Sequence, residues 1–330
     1  MNVNDLQTPA LLVDSAAFDH NLATMSAALP GARLRPHVKA HKTTALAQRQ
    51  DAAGHHGFTC ATILEVERMA AAGLGSDLML ANEVVDASRI GRVVAAGHRV
   101  TLAVDSEATV VAAADGGVRE VIIDVNVGLP RCGIAPEEAG AIADSARARG
   151  LEVRGVMGYE GHVVGLEDRA ARETQTADAM ALLLKAHADV GGELVSAGGT
   201  GTYDINTWAT EIQAGSYVLM DTAYGHLALP FKPALTILAT VISVSNGWAV
   251  ADCGLKAQGM DHGNPTTDAG DVWFCSDEHV TFSPANPVKV GDRIRVVPAH
   301  IDPTIAYHER MHVITGEDVV DVWDVDMRGW

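Results

Sequence analysis

The chain has 330 residues, 48% of them apolar but only 5% aromatic, and a net charge of −18. That charge argues against a nucleic-acid partner, because neutralising phosphates needs a basic face. No apolar run approaches the ~18 charge-free residues of a membrane span, and the four cysteines are widely spaced, with no CxxC pair and no secretory pattern at Met1, which points to a reducing cytoplasm.

In chain order, Thr8–Asp14 reads as a strand and Ser15–Leu29 as a capped helix. Leu34–Lys39 reads as the next strand, and from there strands alternate with Ala-rich segments of helical spacing. The strands are Phe58–Thr62, Asp77–Leu80, Arg99–Val104, Glu120–Val125, Val153–Tyr159, Glu193–Ala197 and Tyr217–Met220, and the helical segments include Leu64–Gly73, Pro136–Arg149 and Glu167–Val190. Counted from Leu34 these are eight strands, which predicts a (β/α)8 TIM barrel over residues 16–232. The competing fold, a doubly wound open sheet, leads one to look for Gly-x-Gly-x-x-Gly after its first strand, and Arg35–Thr43 contains no glycine. Past Pro230 the strands Leu235–Ser245, Trp248–Asp252, His279–Phe282, Asp292–Val297 and His312–Val319 follow one another without helices. Residues 1–15 and 233–330 are therefore expected to form a mainly antiparallel β domain.

A barrel carries its acting groups at the C-terminal ends of its strands. Lys39 lies there in a basic stretch with Arg35, His37, His41 and Lys42, cations that would lower its pKa and free a neutral amine for a Schiff base. Two glycine- and hydroxyl-rich turns, Gly198-Gly199-Thr200-Gly201-Thr202 and Gly215-Ser216-Tyr217, suit a phosphate. A strand-end lysine facing a phosphate cradle is the arrangement that pyridoxal 5′-phosphate needs, with Arg131 and Tyr159 placed to hydrogen-bond its ring. Lys256 competes for the imine but falls in the β domain. His162 is the candidate acid–base group. In a strand, His300 and Asp302 would share a face and could hold a divalent metal, Mn²⁺ or Mg²⁺ before Zn²⁺; a plain His–Asp contact fits the same spacing.

The segments Thr8–Asp14, Arg35–Lys42, Gly158-Tyr159-Glu160-Gly161-His162, Gln213–Tyr217 and Pro298–Thr304 together resemble the D-threonine aldolase and D-serine dehydratase group, pyridoxal phosphate enzymes of the alanine racemase fold. The resemblance runs almost end to end. It implies that Lys39 forms the imine with the cofactor, that the turns at Gly199–Thr200 and Gly215–Tyr217 hold its phosphate, and that a metal sits on His300 and Asp302. Within the group, dehydratases resemble His-x-Cys zinc sites and aldolases His-x-Asp sites using manganese or a similar ion. Asp302 thus implies retro-aldol cleavage of a D-3-hydroxyamino acid of the D-threonine, D-phenylserine or D-3-hydroxyaspartate type to glycine and an aldehyde. The alternatives are dehydration to a 2-oxo acid and ammonia, and a non-catalytic pyridoxal phosphate carrier. A small-molecule substrate and a homodimer are implied by the same resemblance. The chain departs from the group's pattern in a shorter stretch at Gly259–Asp277 and in Ala306-Tyr307-His308-Glu309, which bears on substrate identity.

Overall fold

Strand β1 (Ala10–Asp14) and helix α1 (Ser15–Ala28) open the chain close to the predicted limits. The computed structural model describes residues 1–330 and separates them into two units. One consists of Met25–Lys39, Ala47–Gly215 and Gly329–Trp330, the other of Met1–Thr24, Ala40–Leu46 and Ser216–Arg328. The expectation was a barrel over 16–232 and a β domain of 1–15 with 233–330, and the second unit likewise joins the N-terminal segment to the C-terminal part. The divisions fall within α1, around the segment after Lys39, and at Gly215.

In the first unit, α2 (Thr44–Ala52) leads to seven strands: β2 (Gly57–Cys60), β3 (Asp77–Leu80), β4 (Val100–Val104), β5 (Glu120–Asp124), β6 (Glu152–Met157), β7 (Leu194–Ala197) and β8 (Glu211–Ile212). They pair in parallel in chain order. Helices α3 (Ile63–Ala71), α4 (Ser88–Ala95), α5 (Glu107–Asp115), α6 (Ala139–Ala148) and α7 (Arg169–Val190) form the crossovers. Capping boxes at Thr62 and Ser106 start α3 and α5 by satisfying backbone N–H groups that a helix start leaves open. The strands read as continuous apolar runs because both of their faces are covered.

The predicted strand Leu34–Lys39 is not a regular strand. It makes two isolated parallel bridges, Leu34 to Ile212 of β8 and His37 to Thr59 of β2, and ends in a 3-10 turn, Val38–Ala40. Pro36 has no N–H to give to a ladder, so the segment spans the gap between the edge strands at two points. It closes the sheet.

Inside, the barrel is layered. Near the N-terminal ends of the strands the layer is charged: buried Arg35 donates from Nε to Glu211 Oε1 (2.8 Å) and from Nη2 to Asp77 Oδ2 (2.8 Å), and Arg154 donates to Asp77 Oδ1 (2.8 Å) and to Thr101 Oγ1 (2.9 Å). Burial alone would favour neutral groups here. The Glu211 and Asp77 carboxylates outweigh it and raise the Arg35 pKa further, while Arg35 holds Asp77 below its ordinary value despite desolvation. Above this layer Met79, Ala103, Ile122, Met157 and Leu194 contribute one apolar side chain each from β3 to β7.

In the second unit, α8 (Thr222–Gly225) precedes β9 (Leu235–Ser245), β10 (Trp248–Ala251), β11 (Thr266–Thr267), β12 (Gly270–Cys275), β13 (Val280–Pro284) and β14 (Arg293–Val297). Helix α9 (Ile301–Ala306), β15 (Arg310–Thr315) and β16 (Asp318–Asp324) complete it. A nine-stranded sheet results, with β1 antiparallel to β9 and parallel to β15. Two expectations are corrected. Tyr217–Met220 is no strand: Ser216–Val218 is a 3-10 turn, and the last barrel strand is β8, just before it. His312–Val319 is not one strand but runs from β15 through a turn into β16, with Gly316 at φ +62° supplying the left-handed residue. No helix is long and apolar enough to cross a membrane.

The buried charge layer predicts that Arg35→Met lowers stability by about 3–5 kcal/mol, because it leaves the Glu211 carboxylate buried without its cation. Urea unfolding of the variant against the native protein measures the loss; a change under 1 kcal/mol would contradict the role given to the layer.

Candidate active site

In the barrel unit the groups singled out from the sequence gather around Tyr159, which follows β6. Lys39 Nζ lies 5.9 Å from the Tyr159 ring centroid, and the Arg131 guanidinium carbon lies 5.5 Å from the same centroid. The turn after β7 comes to the same ring: a β-carbon added to Gly199 would stand 3.4 Å from the ring and 3.8 Å from its hydroxyl. The next glycine is obligatory, since a β-carbon on Gly201 would lie 1.8 Å from the Val164 carbonyl oxygen. Buried Thr200 sits between them. Exposed His162 places its ring against Gly128, where a β-carbon would meet Cε1 at 2.8 Å.

Sequence reasoning passed over the residue that holds this turn. Glu160 is fully buried, and its carboxylate accepts from Gly198 N (3.1 Å), Thr202 Oγ1 (2.9 Å) and Asn206 Nδ2 (3.1 Å). The end of β6 is thereby tied to the glycine-rich turn. The signal was a carboxylate between Tyr159 and Gly161, just past the end of β6.

Two of the cations near Lys39 in sequence are engaged elsewhere. Arg35 is consumed by Glu211 and Asp77 at the other end of the barrel interior. His37 and His41 each accept a backbone N–H at Nδ1, at 3.4 and 3.3 Å, the role of a neutral ring. In the second unit, Lys42 Nζ donates to the Asp302 carbonyl at 2.7 Å. Arg131 is the cation that shares an aromatic ring with Lys39. Lys256 is exposed and paired with Glu278, whose carboxylate keeps the amine protonated beyond its ordinary range, so it makes a poor nucleophile.

Near Arg131, Asp124 at the end of β5 is held well above the usual carboxylate range, by burial first and by neighbouring Glu83 next, against the pull of Arg131. The exposed Cys132 thiol is pushed up to about 11, chiefly by its hydrogen bond with Glu83, so it is no ready nucleophile.

The phosphate-type segment Gly215-Ser216-Tyr217 straddles the division between the units. Tyr217 is fully buried and packs against Phe231, with ring centroids 5.7 Å apart.

In the second unit, His300 caps α9 and Asp302 lies in its first turn, followed by Pro303, which a first turn tolerates. The strand argument for this pair was wrong, yet the pairing holds: His300 Nε2 and Asp302 Oδ2 are 3.5 Å apart. His300 Nδ1 is 2.7 Å from Asp261 Oδ2, and the His262 ring packs edge-on against His300 at 4.5 Å. Desolvation opposes protonation of His300, but Asp302 and Asp261 overcome it and raise its pKa. A nitrogen donor facing two carboxylates is a place that favours positive charge, and its N and O donors suit a divalent ion. Asp261, His262 and His300 also bring one donor atom each within 4.8 Å of one another.

An amine at the mouth of a closed parallel barrel, with a glycine- and threonine-lined turn beside it, is an arrangement with room for a phosphate-bearing cofactor. Residues 13–223 match the model of the alanine racemase N-terminal domain, and residues 234–314 match a putative serine dehydratase domain. The chain belongs to this family, in its D-threonine aldolase and D-serine dehydratase branch, and the alanine racemase-type fold implies pyridoxal phosphate. It is 33% identical to a 3-hydroxy-D-aspartate aldolase of Paracoccus denitrificans (strain Pd 1222), over 100% of this chain and 94% of that one. It is 32% identical to a D-threonine aldolase of an Arthrobacter species, over 98% and 93%. The solved structure of a D-threonine aldolase from Filomicrobium marinum superposes with a TM-score of 0.92 at 31% identity, over 99% of this chain and 97% of that one.

The raised Asp124 pKa carries a sign that can be tested. The unfolded carboxyl loses its proton near pH ~4 while the folded one keeps it, so native stability falls as pH rises from there towards the raised folded value. Asp124→Asn removes that decline, and the stability of the variant relative to the native protein should increase between pH 5 and 8 in urea unfolding. Parallel profiles would show that Asp124 ionises normally.

Proposed function

We propose that the protein cleaves the Cα–Cβ bond of a D-3-hydroxyamino acid, of the D-threonine, D-phenylserine or D-3-hydroxyaspartate type, to glycine and an aldehyde, using pyridoxal 5′-phosphate and a divalent metal, Mn²⁺ or Mg²⁺ before Zn²⁺. The observation that carries the reading is the convergence of His300 Nε2 with a carboxylate oxygen, Asp302 Oδ2, where a thiolate would favour a softer ion. Two named relatives aligned over nearly the whole chain support it.

The residues take these roles. Lys39 supplies the amine that anchors the cofactor, and Arg131 and Tyr159 orient its ring. Gly199 and Thr200, with Gly215, Ser216 and the Tyr217 backbone, hold its phosphate. Bound pyridoxal phosphate supplies the electron sink that lets the Cα–Cβ bond break heterolytically. A divalent ion on His300 and Asp302 supplies a Lewis acid for the β-hydroxyl. His162, exposed at the strand ends, takes the hydroxyl proton as the bond breaks, and a proton delivered to Cα completes glycine. The reading goes with a cytoplasmic homodimer and a small-molecule substrate.

The match of residues 234–314 to a serine dehydratase domain makes dehydration the second reading. Products separate the two. Incubation with a panel of D-3-hydroxyamino acids should release glycine and aldehyde in equal amounts, with activity lost on exhaustive EDTA treatment and restored by Mn²⁺. Ammonia and a 2-oxo acid as products would establish dehydration, and full activity after chelation would remove the metal from the mechanism.

A further inference from the structure

The metal reading names two donors, but two donors on flexible side chains do not make a site; something must aim them. Each residue of His300-Ile301-Asp302 is gripped from a different part of the chain. His300 Nδ1 meets Asp261 Oδ2 at 2.7 Å, the Ile301 N–H donates to Asp221 Oδ2 at 3.0 Å, and the Asp302 carbonyl accepts from Lys42 Nζ at 2.7 Å. Thr304 Oγ1 donates to the His300 carbonyl at 2.6 Å and accepts from Gly259 N at 3.0 Å, which binds the 259–261 segment to the motif. Gly259 is needed for that approach, since a β-carbon there would lie 2.3 Å from Pro303 Cγ.

Among these contacts one decides what the imidazole can do. A neutral histidine has one N–H and one lone pair, and the partner of one nitrogen selects the other for the metal. Asp261 on Nδ1 fixes the proton there and turns the Nε2 lone pair towards Asp302. We propose that Asp261 is a positioning residue for the metal centre: it orients His300 and selects its tautomer without ligating the ion. This inference rests on the metal reading above.

Distances separate it from the other arrangement, in which Asp261, His262 and His300 form the ligand set. Neighbouring donors on one ion with bonds of roughly 2.1 Å stand about 3 Å apart or more. The 2.7 Å between His300 Nδ1 and Asp261 Oδ2 is the length of a charge-assisted hydrogen bond, whereas the 3.5 Å between Nε2 and Asp302 Oδ2 leaves room for an ion. Asp261 is itself more than half exposed, so its removal leaves no buried cavity.

The test measures Mn²⁺ binding rather than turnover. Enzyme carrying its pyridoxal phosphate is stripped with chelator and titrated with Mn²⁺, and the free ion is followed by electron paramagnetic resonance. Asp261→Ala should weaken binding about 10- to 100-fold, with the visible cofactor band unchanged. Asp261→Asn, whose amide oxygen still accepts the Nδ1–H, should stay within a few-fold of the native protein. Native affinity in Asp261→Ala overturns the inference, and so does Asp261→Asn falling as far as Asp261→Ala, the behaviour of a direct ligand. The control His300→Ala should abolish binding. If the native protein takes up no Mn²⁺ that His300→Ala removes, the metal reading fails and this inference fails with it.

Discussion

A quartet of charges at the N-terminal end of the barrel interior, buried Arg35, Arg154 and Glu211 with half-buried Asp77, anchors the segment that closes the barrel. The closing segment makes only two bridges to its edge neighbours, with backbone hydrogen bonds from Arg35 N to Ile212 O, from His37 N to Ala214 O and from Thr59 N to Pro36 O. Arg35 adds a side-chain anchor to these, because a planar guanidinium forked between two carboxylates is rigid. Four residues later the same segment ends in the turn that carries Lys39. The segment that leads to the amine is thus tethered by a salt bridge at the far end of the barrel interior. Barrel folds generally divide their ends in this way, with stability at the N-terminal face and chemistry at the C-terminal face.

The same economy of anchoring recurs at the candidate site. Glu160 fixes the glycine-rich turn with three accepted hydrogen bonds, and Asp221, Asp261 and Lys42 each hold one residue of the His300–Asp302 motif. The glycine-rich turn and the His300–Asp302 motif are thus each held by groups outside them. This is the pattern in which a first layer of functional groups is made precise by a second.

Much of this was legible in the sequence, and the limits have physical causes. The repeating strand and helix texture located β2 to β7 to within a residue or two, because strands covered on both faces must be apolar throughout. Leu34–Lys39 and Tyr217–Met220 fit the same alternation of strand and helix, but neither is a regular strand. A short buried run looks the same whether or not it joins a ladder, and Pro36 was the one local sign against. His300 and Asp302 were paired correctly on a strand period that does not exist there, since the cap and first turn of α9 bring them together instead. The basic stretch around Lys39 was read as a set of pKa depressors; the structure turns Arg35 and Lys42 into tethers, through partners 176 and 260 residues away in sequence. Such pairings carry no local signature. Asp261 and Glu160 escaped notice for the same reason.

What the family resemblance added was identity rather than geometry. Catalysis by this chain stands on one covalent assignment, Lys39, and borohydride reduction tests it most directly. After reduction of the cofactor-bound enzyme and proteolysis, mass spectrometry should find the pyridoxyl phosphate adduct on the peptide containing Lys39. An adduct on Lys256, or on no lysine at all, would contradict the account.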